Sequence, residues 1–487
     1  MTIIAFLFIF LGLIVRNFHL AQILFYDWDE GIYAQVAQEI IKNKTLFTTF
    51  NGQPYFHIPP LLHSLIAFVF MLFGRSEFWA RMSMIVVAFM LLILTYKAAK
   101  KIFLILSPND KPQQVMLGSL IPVLILAASP IFIERSALIN SDTLIAVSWI
   151  GYLLYRDSFW KKLFFLTLGV WSKSVLGFYP VLFDIFIWIF QKKKITVSKI
   201  RRYIIFITIP SLWYIAELIK YGNVFIYNHF LSQVLKRITV PIELHFGGKF
   251  FYLSFLWDKM GVINVLFIIS YVFYGIYLIQ ALVKDRLCFF SKNNIFVFLF
   301  MIAPFPFFAF LTVMKTKIYW YVIMFLPFLC ISLTYLYVSL KNKLLRIVFL
   351  IGIVVYFLVS FIPQTYLMKL NYVKPDKLKL AQCIAPKSYN KLAFLVDIEE
   401  RKIKNFLEAA HYDTSISFYW GGSPSFVFYV KKKVDYFYNV DEFIKRAGDY
   451  HILVASKNDI KNSIPIQSLF TKKAVICDFG DWLSIVK

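Results

Sequence analysis

Runs of apolar residues dominate the chain, and their lengths predict helices that cross a bilayer. A span takes about 20 residues. Runs of that order lie at 2–18, 81–98, 115–134, 138–155, 162–190, 203–219, 261–283, 295–313, 318–339 and 345–362. The run at 162–190 is too long for one span and carries Lys173 between Trp171 and Gly177, with Pro180 beyond. It divides into two helices that meet at a polar turn on one membrane face, giving about eleven spans. The first 15 residues are apolar with no basic start and no A-x-A site; they read as a retained span rather than a cleaved signal peptide.

The run at 61–74, LLHSLIAFVFMLFG, is shorter. Fourteen residues of helix reach only about 21 Å, less than the roughly 30 Å hydrocarbon core. Charge decides its placement. If it does not cross, the basic clusters Lys97/Lys100/Lys101, Arg156/Lys161/Lys162, Lys192/Lys193/Lys194, Lys284/Arg286 and Lys341/Lys343/Arg346 all fall on one side, which the positive-inside rule makes the cytoplasm. We therefore expect an interfacial helix at 61–74, with His57 and His63 near the headgroups, and extracytoplasmic segments at about 19–80, 220–260 and after 362. Thirteen of the 27 acidic residues lie in the last 125 residues. There KLAFLVD, FVFYV and YHILVAS read as buried strands between helical pieces. The predicted organisation is a transmembrane catalytic domain over 1–362 and an extracytoplasmic α/β domain over 363–487.

Composition narrows the function. The chain is 60% hydrophobic and 16% charged, against about 25% charged in soluble domains. Its net charge of +25 suits the flanks of membrane spans and anionic lipid, so nucleic acid is not an expected partner. The four cysteines have no CxxC spacing; Cys383 and Cys477 either pair or are two unrelated thiols. No repeat and no inverted pair of interrupted spans is visible.

The first polar segment opens with FYDWDEGIYAQVAQEIIKN, which sets Asp27, Asp29 and Glu30 before an amphipathic helix with Ile32, Val36 and Ile40 on one face. Acids there can start a helix or do chemistry. The order DE-x-x-YA (Asp29, Glu30, Tyr33, Ala34), then Asn51, Gly52, Pro54, Tyr55, Phe56, Pro59, Pro60 and Leu61, then Gly74, Ser76, Glu77, Phe78, Ala80 and Arg81, resembles the GT-C glycosyltransferases. Within them it is similar to the branch holding protein O-mannosyltransferases and the aminoarabinose transferase of lipid A. The resemblance is densest over about 25–145.

It implies a GT-C-like fold and a polytopic transferase that takes a sugar from a polyprenyl-phosphate donor on the outer face of the cytoplasmic membrane. Direct displacement would make it inverting. The abundance of Lys, Ile, Phe and Asn, as in an AT-rich bacterial genome, favours lipid A, another lipid or a glycan as acceptor, with a protein O-mannosyltransferase-like enzyme as the alternative. The resemblance also implies roles. Asp29 matches the family's first-loop acid, with Glu30 beside it. Arg135 and Asp142 in ERSALINSD resemble the second external motif, Lys173 a lysine at the turn between two spans, and Lys317 with Tyr321 a K-x-x-x-Y motif. Tyr33, Tyr55, His57 and Arg81 are expected to support substrate. Where the aminoarabinose transferases carry a basic residue and a lysine before the prolines, this chain has Ile32 and Ile58. Structural alternatives exist for each: Arg135 and Asp142 pairing at span ends, Lys173 and Lys317 snorkelling to the interface.

The chemistry follows without the family. A polyprenyl-phosphate sugar is already activated, so the protein must hold the phosphate, offset its developing charge and place the acceptor. Cations do the first two, and Lys173, Arg237 and Lys317 fall on the expected outer side with the acids. Asp29 then serves a hydroxyl acceptor as base, or orients an ionised one. Neither a Gly-rich phosphate loop nor D-x-D supports nucleotide-sugar use. A divalent cation is compatible with Asp27, Asp29 and Glu30, and nothing in the sequence requires one. The rival classes are a transporter or flippase for a lipid-linked sugar, which places ionisable groups at the membrane midplane, and a polysaccharide-assembly scaffold that only binds.

Overall fold

The apolar runs fold as helices in a computed structural model that describes residues 2–190, 197–241, 245–284, 292–388, 391–409, 422–471 and 473–486. Lys192, Lys193, Lys194 and Arg286 lie outside the described residues. Among the described residues, Thr2–Leu20, Glu77–Leu106, Arg201–Tyr221, Ile263–Ala281, Asn293–Val313, Tyr319–Ser339 and Lys343–Thr365 are long and apolar enough to span, which makes seven helices. Two bent pairs raise the number to nine: Pro112–Ala128 with Pro130–Ala137, bent by 71°, and Phe159–Phe178 with Val181–Ile189, bent by 54°. Asp142–Leu154 and Leu61–Phe73 are apolar helices of only 13 residues. Every expected run is thus helical, with 115–134 bent at Ser129 and 138–155 reduced to the 13 residues Asp142–Leu154, so that the spans among the described residues number seven to nine against the eleven expected. The protein is a polytopic α-helical membrane protein with a small C-terminal sheet domain.

The chain divides into two units: Met1–Ala21, His57–Leu62 and Phe78–Lys369 in the first, and Gln22–Phe56, His63–Glu77 and Leu370–Lys487 in the second. In the first, burial separates two kinds of helix. Tyr319–Ser339 is buried over 83% of its apolar window and Lys343–Thr365 over 17%. The latter leaves Leu344, Val348, Ile351, Val355 and Val359 exposed, a surface that water would penalise and lipid accepts. Asp142–Leu154 is buried along its whole length.

Local chemistry sets the bends. The residue before a proline is driven out of helical conformation, and Ser129, before Pro130, is extended at φ −71°, ψ 132°. Its hydroxyl donates to Leu126 O at 2.8 Å and accepts from Phe132 N at 3.3 Å, which satisfies groups left open at the break. Near Lys173, glycines let backbones touch. A Cβ on Gly177 would lie 2.2 Å from Val170 N, and one on Gly169 would lie 2.2 Å from Ser148 Oγ. Such close approach of small residues is how helices pack where lipid offers no hydrophobic drive.

In the second unit, the helix Asp29–Asn43 leads to a two-residue hairpin of β1 (Thr49–Phe50) and β2 (Gln53–Pro54). Asn51 and Gly52 form its turn at φ 53° and φ 78°, the positive-φ pair that Asn-Gly favours. A five-stranded sheet comes from β3 (Lys391–Leu395), β4 (Lys433–Phe437), β5 (Ile452–Ser456), β6 (Ala474–Phe479) and β7 (Trp482–Val486), in the order β4-β3-β5-β7-β6. β3 runs parallel to β4 and β5, and β7 antiparallel to β5 and β6. Ala393, Leu395, Leu453, Ala455 and Ile485 meet Phe437, Phe443 and Phe470 in its core. KLAFLVD and YHILVAS supply β3 and β5 as expected. FVFYV does not form a strand: Ser425–Val430 is a helix with all six residues buried. A short continuous apolar run fits either a buried strand or a buried helix, and here packing decides. Cys383 and Cys477 form a disulfide between the helix Asp376–Ile384 and β6.

Candidate functional site

The second unit carries the acids. The helix Asp29–Asn43 begins after Trp28, whose φ of 72° and ψ of −115° are unusual for an L residue and whose side chain makes no cap. Asp29 is the first helical residue, partly exposed. Its Oδ1 accepts from the Tyr33 hydroxyl at 3.3 Å, one helical turn on. Glu30 is buried, and its carboxylate accepts from Tyr26 N at 3.1 Å, which ties the turn. Asp27 accepts from the Ser423 hydroxyl and from both the amide and hydroxyl of Ser425. Three neighbouring acids therefore sit in three different environments. Tyr33 and Tyr55 each meet buried His63 in an edge-to-face contact, with ring centres 5.4 Å apart.

The first unit carries the cations, arranged around Asp142. This residue is 2% exposed at the N-terminus of its helix. It accepts from Lys173 Nζ and lies 3.6 Å from an Arg135 nitrogen. Lys173 Nζ is 4.3 Å from the centre of the Tyr321 ring, and the Arg135 guanidinium is 5.1 Å from that of Trp320. Asn140 locks the intervening turn, donating to Arg135 O at 2.6 Å and accepting from Thr143 N at 2.9 Å. Arg135, Asp142, Lys173 and Tyr321, expected from three separate stretches of sequence, form one cluster.

From Lys173 a polar line continues within this unit. Ser174, the next residue, has φ 59°, a strained conformation for a non-glycine residue. Its hydroxyl meets His229 Nε2 at 2.7 Å. His229 belongs to a π-helix, Ile226–Leu235, a rare geometry that gathers at functional sites. The wider turn brings Gln233, four residues on, toward the same face. Gln233 Nε2 is 3.2 Å from His57 Nδ1, and Gln233 Oε1 accepts from Arg237 Nε at 3.2 Å. Burial, followed by the charge of Arg237 and the proximity of His229, pushes the His57 pKa down to about 3. His57 is therefore neutral at physiological pH.

Two expected residues have structural partners. Lys317 Nζ donates to Leu311 O and Thr312 O, each at 2.8 Å, at the end of the helix Pro304–Val313, a favourable place for a cation. Two of its three protons are thus committed, and burial followed by Lys315 lowers its pKa. Arg81 is fully buried and donates to Leu20 O at 2.5 Å, closing the end of the first helix. Sequence reasoning missed Ser174, His229, Gln233 and Asn140. The only available signal was a histidine and a glutamine four residues apart near Arg237. Among the described residues no three His, Cys, Asp or Glu side chains are grouped to hold a metal ion.

The fold, seven to nine apolar spans with a small C-terminal sheet domain, is shared with solved structures. Among them are structures of ArnT from Cupriavidus metallidurans. With undecaprenyl phosphate bound, that structure aligns over 99% of this chain and 97% of its own at TM-score 0.68 and 13% identity. The apo structure gives 0.66 and 12% over the same shares. A protein of Aquifex aeolicus, described as uncharacterized, is 25% identical over 226 residues, 46% of this chain. The chain spans about half the length of that relative, 51%. No family model matches the chain.

Proposed function

We propose that this protein is an inverting glycosyltransferase that moves a sugar from a polyprenyl-phosphate donor to a lipid or glycan acceptor at the outer face of a bacterial cytoplasmic membrane. The observation that carries the reading is the line Asp142, Lys173, Ser174, His229, His57, Gln233, Arg237 inside a unit of apolar helices. An amphiphile with one anionic head fits such a line: cations for the phosphate, neutral donors for its remaining oxygens, lipid-facing helices for the chain. The ArnT structure with undecaprenyl phosphate bound supports the same class of ligand.

In this reading Arg237 and Lys173 hold the donor phosphate, and Lys317 contributes its third proton. Asp142 keeps Lys173 and Arg135 in place with Tyr321. The acceptor oxygen attacks the anomeric carbon, the bond to the phosphate oxygen breaks, and its electron pair stays on the phosphate, where the cations stabilise it. Asp29, supported by Tyr33, takes the proton of a hydroxyl acceptor as general base. Glu30 holds the turn; Tyr55, His57 and Arg81 support. The disulfide Cys383–Cys477 favours an oxidising compartment for residues 363–487, hence an extracytoplasmic C-terminal domain and a cytoplasmic face for the basic clusters.

Binding tests it. Undecaprenyl phosphate should bind purified wild type in detergent, and Arg237→Ala should weaken that binding by roughly tenfold or more, the loss of one charge-assisted contact. Equal affinity of wild type and Arg237→Ala, with both proteins folded, contradicts the phosphate assignment.

A further inference from the structure

Asp27 ties the acid trio to the C-terminal domain, and the contacts described below lie within the second unit. The Asp27 carboxylate receives four contacts from the segment Gly422–Ser425. The Ser423 hydroxyl lies 3.3 Å and 3.1 Å from its two oxygens, the Ser425 amide lies 3.1 Å from Oδ1, and the Ser425 hydroxyl also donates to Oδ1. Four residues further along the first segment, Gly31 lies against the same serine. A Cβ there would stand 2.6 Å from Ser425 Cβ and 2.8 Å from Ser425 N, so only glycine allows this approach. Between the two anchors lie Trp28, in its strained conformation, and Asp29. Two amides close the turn, Gly31 N to Tyr26 O at 3.1 Å and Ile32 N to Trp28 O at 2.9 Å.

Other points fix the same segment. Asn51 pairs by both side-chain atoms with the backbone of Val434, donating to its carbonyl at 2.6 Å and accepting from its amide at 3.1 Å. Val434 is on β4, an edge strand of the sheet. The Tyr429 hydroxyl accepts from Phe25 N at 2.7 Å and donates to Glu77 at 2.6 Å. A residue with φ above zero is held only where its surroundings over-determine it, and Asp27 with Gly31 supplies that constraint on either side of Trp28 and Asp29.

We propose that Asp27 is a positioning residue: gripped by Ser423 and Ser425, it fixes the turn that presents Asp29, so that the serine segment of the C-terminal domain sets the geometry of the acid site. This rests on the assignment of Asp29 as the base. Asp27 itself does no proton transfer, since its oxygens are occupied by donors from the protein. A carboxylate that only accepts hydrogen bonds is partly replaced by an amide, because Asn keeps one acceptor oxygen, and is not replaced by Ala. A carboxylate that acts as a base is replaced by neither. Removing the Ser425 hydroxyl leaves its amide contact and should act in the same direction as Asp27→Asn, although the serine is about 400 residues away in sequence.

The experiment compares Asp27→Asn, Asp27→Ala and Ser425→Ala in the full chain, with turnover of a polyprenyl-phosphate sugar read per folded molecule and hydrogen exchange read at the Gly31 and Ile32 amides. We expect kcat to fall in the order wild type, Asn, Ala, with Ser425→Ala near Asn and donor KM within about twofold of wild type throughout. Exchange at both amides should rise about tenfold or more in each variant, the scale set by losing a charge-assisted hydrogen bond. Unchanged exchange in Asp27→Ala overturns the proposal whatever the activity. Equal loss of kcat in Asn and Ala, with exchange unchanged in Asn, also overturns it and makes Asp27 a reacting group. Failure of the Asp29 assignment shows separately, as undiminished turnover by Asp29→Asn, and leaves the exchange result to decide the role of Asp27 in holding the turn.

Discussion

Replacing Asp142 by Leu should destabilise the first unit and make it more responsive to an anionic ligand. The carboxylate side chain is 3% exposed and faces Lys173 and Arg135, themselves 16% and 6% exposed. At 3.6 Å from Arg135, Coulomb attraction with an effective dielectric of 20 is about 4.6 kcal/mol before desolvation is subtracted. Breaking a buried pair by removing one partner costs about 3–5 kcal/mol; here Lys173 loses its carboxylate and, among the described residues, Arg135 keeps only Glu134 as an acidic partner, at 3.9 Å. We expect a loss of about 4 kcal/mol for Asp142→Leu and about 2 kcal/mol for Asp142→Asn, which keeps an acceptor for Lys173. Thermal unfolding in detergent, with and without undecaprenyl phosphate, is the assay. The phosphate replaces the missing charge, so the ligand should raise the midpoint of Asp142→Leu more than that of wild type. A midpoint for ligand-free Asp142→Leu within a degree of wild type, or equal ligand stabilisation of both, refutes the reasoning.

Three further predictions follow from particular contacts. Because His57 is held neutral with its pKa near 3 against about 6.5 unfolded, the unfolded chain binds the extra proton between those values. Its contribution is complete above about pH 6.5 and falls by up to about 1.4 kcal/mol per unit as pH drops; the difference in stability between wild type and His57→Gln, measured from pH 7 to 4.5, should shrink with that slope. Cys383 and Cys477 close a loop of sequence separation 94, so replacing both by Ser should cost the second unit up to about 4.7 kcal/mol on the loop-entropy relation, read by thermal unfolding; no loss would contradict a stabilising bridge. Gly177→Ala puts a Cβ 2.2 Å from Val170 N, and backbone cannot yield as a side chain can, so folded yield should drop by an amount matching about 1–3 kcal/mol of overpacking; normal yield and turnover would contradict the close approach.

The spans were legible because a helix in lipid needs only length and apolarity, and both are local. So was the break at Lys173: a cation and a proline inside an overlong run do not continue one helix. Burial was not legible. Asp142–Leu154 and Lys343–Thr365 look alike as strings, yet the first is wholly enclosed and the second largely exposed, because packing partners are distant in sequence. The same holds for FVFYV, where a run without alternation carried no period to separate helix from strand. In the candidate site, Asp142, Lys173, Arg135 and Tyr321 were named through the resemblance and lie together, whereas the π-helix with His229 and Gln233 has no simple sequence period. The roles of Asp27, Asn51 and Gly31 were invisible for a different reason: each is defined by residues almost 400 positions away, and no local pattern encodes Ser425 or Val434.

The central claim is that the protein transfers sugar and that Asp29 is its base. The direct measurement is transfer of radiolabel from a polyprenyl-phosphate sugar to envelope lipid or glycan acceptors by purified wild type and Asp29→Asn, each confirmed folded. Asn preserves the size of Asp29 and its place as the first helical residue, and removes only charge and basicity. The account predicts labelled product from wild type and a loss of on the order of a hundredfold or more in Asp29→Asn, the scale of general-base catalysis. Turnover of Asp29→Asn within a few-fold of wild type contradicts the catalytic assignment. Movement of intact labelled donor across reconstituted vesicles without any product contradicts the transferase and leaves a carrier in its place.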